Sequence, residues 1–83
     1  MFLDVPTRLA RTLLKIVDKH GRKLDDGIQV RIRITHRELA ELIGATRETT
    51  TAVLNKLRRE GIVTRKLGKL LITDPERLKL LAE

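Results

Sequence analysis

Two helix signals lie next to each other in the middle of the chain, with almost no residues between them to connect the two helices. Thr35 and Glu38 have the capping-box spacing that begins an α-helix, and Gly44 suits the end of that helix. Only Ala45 separates Gly44 from Thr46, which is a good N-cap for a second helix. Two helices joined by a tight, glycine-containing turn are typical of a helix-turn-helix.

The segments before this pair predict one helix and one strand. Residues 7–20 place apolar side chains on one broad helical face, with Thr7 or the residue before it as N-cap and Gly21 at the C-terminal end. Residues 21–27 have the composition of a turn. Residues 28–34 alternate isoleucine or valine with polar residues, which predicts a strand with one apolar and one basic face.

The segments after the pair predict a hairpin and a closing helix. Residues 62–66 and 70–73 are expected to form two short strands joined around Gly68. Asp74 as N-cap and Pro75 at the first helical position predict the final helix. This order of elements predicts an α+β, mainly α, winged helix-turn-helix, with a small three-helix core and a β-hairpin wing.

The chain length suits one small domain. We expect a single winged helix-turn-helix over residues 1–83, with the helix-turn-helix at about 35–60 and the wing at about 62–73. The absence of cysteine excludes disulfides and thiolate zinc sites. No apolar run approaches the length that spans a bilayer and no signal peptide is visible, so we expect a cytoplasmic protein with no membrane partner.

The charge of the chain favours a polyanionic partner. The formal net charge is +7, and residues 29–69 hold ten lysines and arginines against four acidic residues. Most of the excess positive charge therefore lies on the helix-turn-helix and the wing. Nucleic acid is the first candidate for such a surface and an anionic membrane the second.

Three consecutive threonines, residues 49–51, interrupt the second helix although threonine is a mediocre helix former. On a helical wheel Thr50 falls with Leu54 on the inward stripe, whereas Thr51 lies on the opposite side. Short outward side chains let a helix approach DNA closely, and their hydroxyls can bond to a phosphate or a base. We therefore expect the helix over 47–60 to enter the major groove of double-stranded DNA.

The first two residues of this helix suit base reading. The planar fork of Arg47 matches O6 and N7 of guanine, and Glu48 can accept from the amino group of cytosine. A glutamate on a basic surface repels phosphate, which favours a contact with a base; the alternative is that Glu48 only favours the positive end of the helix dipole. The expected base contacts are Arg47, Glu48, Thr51 and Asn55.

These residues also carry a family resemblance. ITHRELAELIGATRETTTAVLNKLRREGIV, residues 34–63, resembles the C-terminal DNA-binding domain of the CRP/FNR family of bacterial transcription regulators. PTRLARTLL resembles the helix that precedes this domain's hairpin, and RKLGKLLITD resembles its wing. The resemblance implies base contacts by Arg47 and Glu48. It also implies contacts with the phosphate backbone by Thr35, Arg37, Thr46, Thr49 and Lys66.

Two further expectations concern the edges of this interface. Lys69 at the tip of the wing is expected to add a phosphate contact. Many members of the family carry a second base-reading arginine five residues after Arg47, where this chain has Ala52. The outer part of the half-site is then read by Thr51 or Asn55, or less stringently.

The resemblance covers only part of a typical family member. Members normally carry an effector-sensing β-roll and a long dimerisation helix ahead of this domain, and nothing in this chain matches either. Because MFLDVPTRLA reads like the end of a hinge, we expect a fragment of a larger regulator rather than a stand-alone domain. The implied homodimer then belongs to the full-length regulator, and no cofactor is expected in this chain.

Four other interpretations are weaker. Catalysis is disfavoured because His20 and His36 lie far apart, with no paired carboxylates and no glycine-rich phosphate loop, and Asp25-Asp26 suits a turn. A winged helix that binds protein would show exposed apolar anchors on its second helix, and one that binds RNA would need aromatics beyond Phe2. A winged-helix module of another repressor family is the nearest alternative, because topology and charge would be the same.

Overall fold

A computed structural model describes residues 4–83. The elements are α1 (Val5–His20), β1 (Gly21–Leu24), β2 (Gly27–Val30), α2 (His36–Ile43), α3 (Arg47–Arg59), β3 (Val63–Lys66), β4 (Lys69–Ile72) and α4 (Pro75–Leu81). The strands form one antiparallel sheet in the order β1-β2-β4-β3. This architecture confirms the predicted winged helix-turn-helix, with β3 and β4 as the wing.

The core lies between the helices and one face of the sheet, and every element except β1 supplies at least one buried apolar side chain to it. Its main buried members are Leu9, Leu13, Val30, Leu39, Ile43, Leu54, Leu57, Ile62, Leu70, Ile72 and Leu78. Each such side chain stabilises the fold by about 1.5–3 kcal/mol relative to exposure. Short helices are marginal alone, so this shared aliphatic core determines where α2 and α3 sit.

The turn between α2 and α3 is built from side-chain caps, as predicted. The Thr35 hydroxyl accepts from the Glu38 N–H at 3.0 Å, and the Glu38 carboxylate accepts from the Thr35 N–H at 2.9 Å. Gly44 ends α2 in the left-handed conformation, with φ 70°. The Thr46 hydroxyl then accepts from the Thr49 N–H at 3.1 Å and begins α3. These caps hold the start of α3 in a fixed position beside α2.

The prediction of a turn over 21–27 was wrong, because residues 21–24 form strand β1. Gly21 pairs with Val30 and Leu24 with Gly27, so only Asp25 and Asp26 form the turn. An edge strand bonds to one neighbour and can face solvent, so it needs no alternation of apolar residues. Strand β1 was therefore missed, because its charged residues Arg22 and Lys23 show no apolar alternation.

The predicted strand over 28–34 ends at Val30 instead. β1 begins directly after α1, so the Gly21–Val30 pair is the last one available, and Arg31 bonds back to the His20 carbonyl at 2.7 Å. Ile32 is left exposed, and the chain turns away to reach Thr35. Residues 28–34 do alternate, but β1 is too short to pair with the residues beyond Val30.

Two smaller expectations were also wrong. The spacing of Leu39, Leu42 and Ile43 predicts that all three lie on the buried side of α2, but Leu42 is 62% exposed. The buried arc runs from Leu39 through Ile43 to Ala40, and Leu42 lies about 60° beyond Leu39 on the side opposite Ala40. Helix α1 begins before Thr7, since Asp4 is its N-cap and accepts from the Thr7 N–H at 2.9 Å. Helices α2 and α3 and both wing strands lie within one residue of their predicted bounds, and α4 begins at Pro75 as predicted.

Two glycines allow a stability test of this fold. Gly27 has φ +151°, and a Cβ there would lie 2.3 Å from the Ile72 carbonyl oxygen, whereas a Cβ on Gly44 (φ +70°) would meet open space. We expect Gly44→Ala to lower the free energy of unfolding by about 1–2 kcal/mol, the cost of a left-handed alanine. Gly27→Ala adds a backbone clash between β2 and β4, so it should cost more than Gly44→Ala.

Urea titrations of both variants beside the wild type measure these differences. Equal losses for the two variants would contradict the close approach of β2 to β4 at Gly27.

Candidate nucleic-acid interface

Helix α3 has one buried and one exposed face. Thr50 is fully buried, and its hydroxyl donates to the Thr46 carbonyl at 2.8 Å, so its polar group is satisfied inside the helix. Leu54 and Leu57 continue that face into the core. The exposed side chains of α3 include Arg47, Glu48, Thr49, Asn55 and Arg58. The threonine run thus places the buried Thr50 between the exposed Thr49 and Thr51, which is half-buried. The helical wheel predicted the burial of Thr50 and placed Thr51 on the opposite side.

The hydroxyls at the start of α3 are pre-arranged. Thr46 accepts from the Thr49 N–H while its own hydroxyl donates to the Thr49 oxygen at 2.9 Å. The Thr49 hydroxyl, having accepted, keeps its own proton for a group outside the protein. A donor at the positive end of a helix suits a phosphate oxygen. This geometry fits the predicted phosphate contacts of Thr46 and Thr49.

The start of α2 lies in the same region. Thr35 and Arg37 are both exposed there, and the Thr35 hydroxyl proton is not used in the capping box, where its oxygen accepts. A long cation and a hydroxyl donor at one helix N-terminus again suit phosphate. Both residues are therefore accessible for the predicted backbone contact, which stays a prediction.

His36 connects the three elements of the interface, a role that sequence reasoning missed. Its Nδ1 lies 2.8 Å from Thr51 Oγ1 on α3, and its Nε2 lies 3.2 Å from Arg65 Nη2 on β3. Its place in the first turn of α2 predicts an exposed residue within reach of phosphate, but His36 is half-buried. Its two partners are 15 and 29 residues away in the chain, and no local pattern records such contacts.

The same surroundings determine the charge of His36. Its pKa lies below the ordinary value, first because burial disfavours the charged ring, and then because Arg65 and Arg47 repel it. Arg58 lines a small cavity together with His36 and Arg65. His36 is therefore neutral at pH 7, and the positive charge of this surface comes from the arginines around it.

The wing, strands β3 and β4, carries its cations beside His36 and the two hydrogen bonds that join it to Thr51 and Arg65. Arg65 is exposed and also donates to the Gly68 carbonyl at 3.4 Å. Lys66, predicted to contact phosphate, forms a 3.0 Å ion pair with Asp26, and the hydrogen bond from this lysine lowers the pKa of Asp26. Both partners are about half exposed, and such pairs contribute little, so exchange for a phosphate costs little. Lys69 is half-buried at the wing tip.

The described residues offer little support for other kinds of site. Within residues 4–83 no cluster of three or more His, Cys, Asp or Glu side chains could hold a metal ion. Across the same range no helix is both long and apolar enough to cross a bilayer. Asp25-Asp26 forms the predicted turn. Phe2 lies outside the described residues. Of the segment interpreted as a hinge, residues 1–10, the structure describes Asp4, which caps α1, and the first residues of α1.

Comparison with known proteins decides the family. The Crp-like helix-turn-helix domain matches residues 7–81, nearly the whole chain. The chain belongs to this family. Its fold and its capped helix-turn-helix are those of a DNA-binding domain, and the family consists of transcription regulators rather than enzymes.

Relatives and solved structures agree with this assignment. The chain is 35% identical over 78 residues to the CRP-like cAMP-activated global transcriptional regulator of Mycobacterium tuberculosis, covering 94% of the chain and 35% of the relative. It is 38% identical over 76 residues to the transcriptional regulator SdrP of Thermus thermophilus, covering 92% and 37%. The structure of CooA, a CO-dependent transcription factor from Carboxydothermus hydrogenoformans, superposes with a TM-score of 0.88 at 31% identity, covering 96% and 37%. The chain thus spans about a third of the length of these proteins.

Acidification should lower the free energy of unfolding through protonation of His36. Because the pKa of His36 is lowered on folding, the contacts of its neutral ring stabilise fully above about pH 6.5, the unfolded value, and are lost as the pH falls through the folded pKa. Arg47, Arg58 and Arg65 are the cations that surround the ring. We expect the free energy of unfolding, from urea titrations, to fall between about pH 7.5 and pH 5.

His36→Asn is the matched control, because an amide does not titrate. Its free energy of unfolding should fall less over the same range. The pKa values of Asp4, Asp26 and Glu38 are also lowered, mainly by hydrogen bonds to the carboxylates, so their contribution disappears only at lower pH. An equal fall in both proteins would assign the pH dependence to groups other than His36.

Proposed function

We propose that this domain binds double-stranded DNA sequence-specifically as part of a longer bacterial transcription regulator, with α3 in the major groove. The observation that carries this proposal is the exposed N-terminal half of α3. It presents short threonines beside Arg47 and Glu48, and the wing lies next to it. A helix with this surface can approach base edges closely while the surrounding cations contact the backbone.

Base reading is assigned to the exposed side chains of α3. Arg47 supplies a bidentate donor for guanine, and Glu48 supplies an acceptor for the cytosine amino group, so two adjacent G·C pairs are the natural target. Neither side chain is held by an ion pair recorded among residues 4–83. Thr51 and Asn55 follow along the same helix and read the outer part of the half-site.

Phosphate contacts are assigned to the residues around α3. These are Thr35, Arg37, Thr46, Thr49, Lys66 and Lys69. They come from the start of α2, the start of α3 and the wing, so they hold the domain on the backbone from different directions. Counterion release at these contacts gives most of the affinity, which should fall steeply with salt.

The rest of the regulator is assigned by family relationship. We place effector binding and dimerisation in parts outside this chain, so the domain itself needs no cofactor, and a homodimer forms in the full-length protein. The related proteins are described as cAMP-activated or CO-dependent, so no one effector can be transferred to this chain. A bacterial transcription regulator acts at the chromosome, which implies the cytoplasm.

Binding of protein or RNA instead of duplex DNA is less well supported. A protein-binding helix would expose apolar anchors, yet the large exposed apolar residues of the described chain all lie outside α3. Single-stranded RNA would need exposed aromatics, and the only aromatic of the sequence is Phe2. Membership of the Crp-like family removes the alternative of another winged-helix repressor family.

Selection from random duplex DNA at low salt, followed by sequencing of the retained fragments, tests base reading. The wild-type chain should enrich a short motif with adjacent G·C pairs. Arg47→Ala should lose about 1–3 kcal/mol on that motif and blur one base position, because a bidentate contact with guanine is removed. Enrichment of no motif by the wild type would contradict sequence-specific binding by this domain.

Lys69→Ala is the matched variant for phosphate contacts, and Lys66→Ala a second. Each removes one cation from the wing, so each should weaken binding to all sequences about equally and reduce the salt slope by about one counterion. Affinities measured at several salt concentrations on the selected motif and on an unrelated duplex check this. A changed base preference in either variant would contradict the proposed division between base and phosphate contacts.

A further inference from the structure

The two hydrogen bonds of His36 determine where its proton lies. A guanidinium has only donors, so Arg65 Nη2, 3.2 Å from His36 Nε2, must donate to that nitrogen. Nε2 therefore carries no proton, and the neutral ring holds its proton on Nδ1. The bond of 2.8 Å between Nδ1 and Thr51 Oγ1 is then donated by the histidine. Thr51 is the acceptor in this bond.

Because Thr51 accepts from His36, its own hydroxyl proton must point to another group. Threonines in helices often donate to the carbonyl four residues earlier, and Thr50 does so with Thr46 at 2.8 Å. Among the described residues no such bond is made by Thr51. Thr51 is only half-buried, so its proton remains available to a group outside the protein.

We propose that His36, held by Arg65, is a positioning residue that favours donation of a hydrogen bond from Thr51 to DNA. A hydroxyl that already accepts one hydrogen bond is a stronger donor and a weaker second acceptor, so the base facing Thr51 should present an acceptor in the major groove. Guanine offers N7 and O6, adenine N7 and thymine O4, whereas cytosine offers only its amino donor. The inference rests on the proposed function, because it requires α3 in the groove. It predicts discrimination against cytosine at one position.

The surroundings keep this arrangement in place at neutral pH. Burial and the nearby arginines disfavour a charged His36, and a charged ring could not accept from Arg65. Arg65 also donates to the Gly68 carbonyl, which anchors it on the wing. The chain of donors thus runs from the wing through His36 to Thr51 in one direction only.

Selection from random duplexes by a series of variants tests the inference. The wild type and Thr51→Ser, which keeps the hydroxyl, should both deplete cytosine at one position by about threefold to tenfold, the effect of one hydrogen bond. Thr51→Val should abolish this depletion. Arg65→Leu frees both tautomers of His36, and His36→Asn offers either an amide oxygen or an amide nitrogen, so both should relax the depletion. The positions read by Arg47 and Glu48 should stay unchanged in every variant.

The outcomes separate this inference from the proposed function. If His36→Asn and Arg65→Leu retain the wild-type depletion of cytosine, the inference is overturned while base reading by α3 stands. If the wild type enriches no motif, the proposed function fails and the inference fails with it. Urea titrations of each variant show that it is folded, and a merely structural role for His36 would weaken binding without changing preference at a single base.

Discussion

The turn between α2 and α3 is the constraint on which the interface depends. Gly44 takes the left-handed conformation that ends α2, and Thr46 caps α3 two residues later, so the relative placement of the two helices has little freedom. The fully buried Thr50 then seats the first turn of α3 against the core. Because the N-terminal residues of α3 are the ones we assign to base edges, a small error in this turn would misplace all of them.

Local signals explain which parts of this molecule could be predicted. Caps, helical periodicity and turn residues lie within a few positions of one another, so the capping box at Thr35 and the N-cap at Asp74 were both found where expected. β1 and the early end of β2 were missed because strand length depends on which partner is available across the sheet. The exposure of Leu42 was missed because α2 has too few residues to define its buried face clearly.

The candidate site likewise contains some residues whose placement follows from local sequence signals and others whose contacts do not. The exposed side chains of α3 follow from its periodicity, so the placement of Arg47, Glu48 and Asn55 was predictable, while their contacts with bases remain predictions. The bridge from His36 to Thr51 and Arg65 was not, since it joins three elements that meet only in the folded chain. The pair of Lys66 with Asp26 is likewise a contact between distant segments.

The bridge at His36 also means that the wing and α3 form one unit. Arg65 bonds to the wing carbonyl of Gly68 on one side and to His36 on the other, and His36 bonds to α3. A shift of the wing along the phosphate backbone would therefore pull on Arg65 and change the proton arrangement at Thr51. Phosphate contacts are usually credited with position alone and base contacts with sequence. Under the proposed docking the two are connected through Arg65 and His36, so the local shape of the backbone would influence which base is accepted.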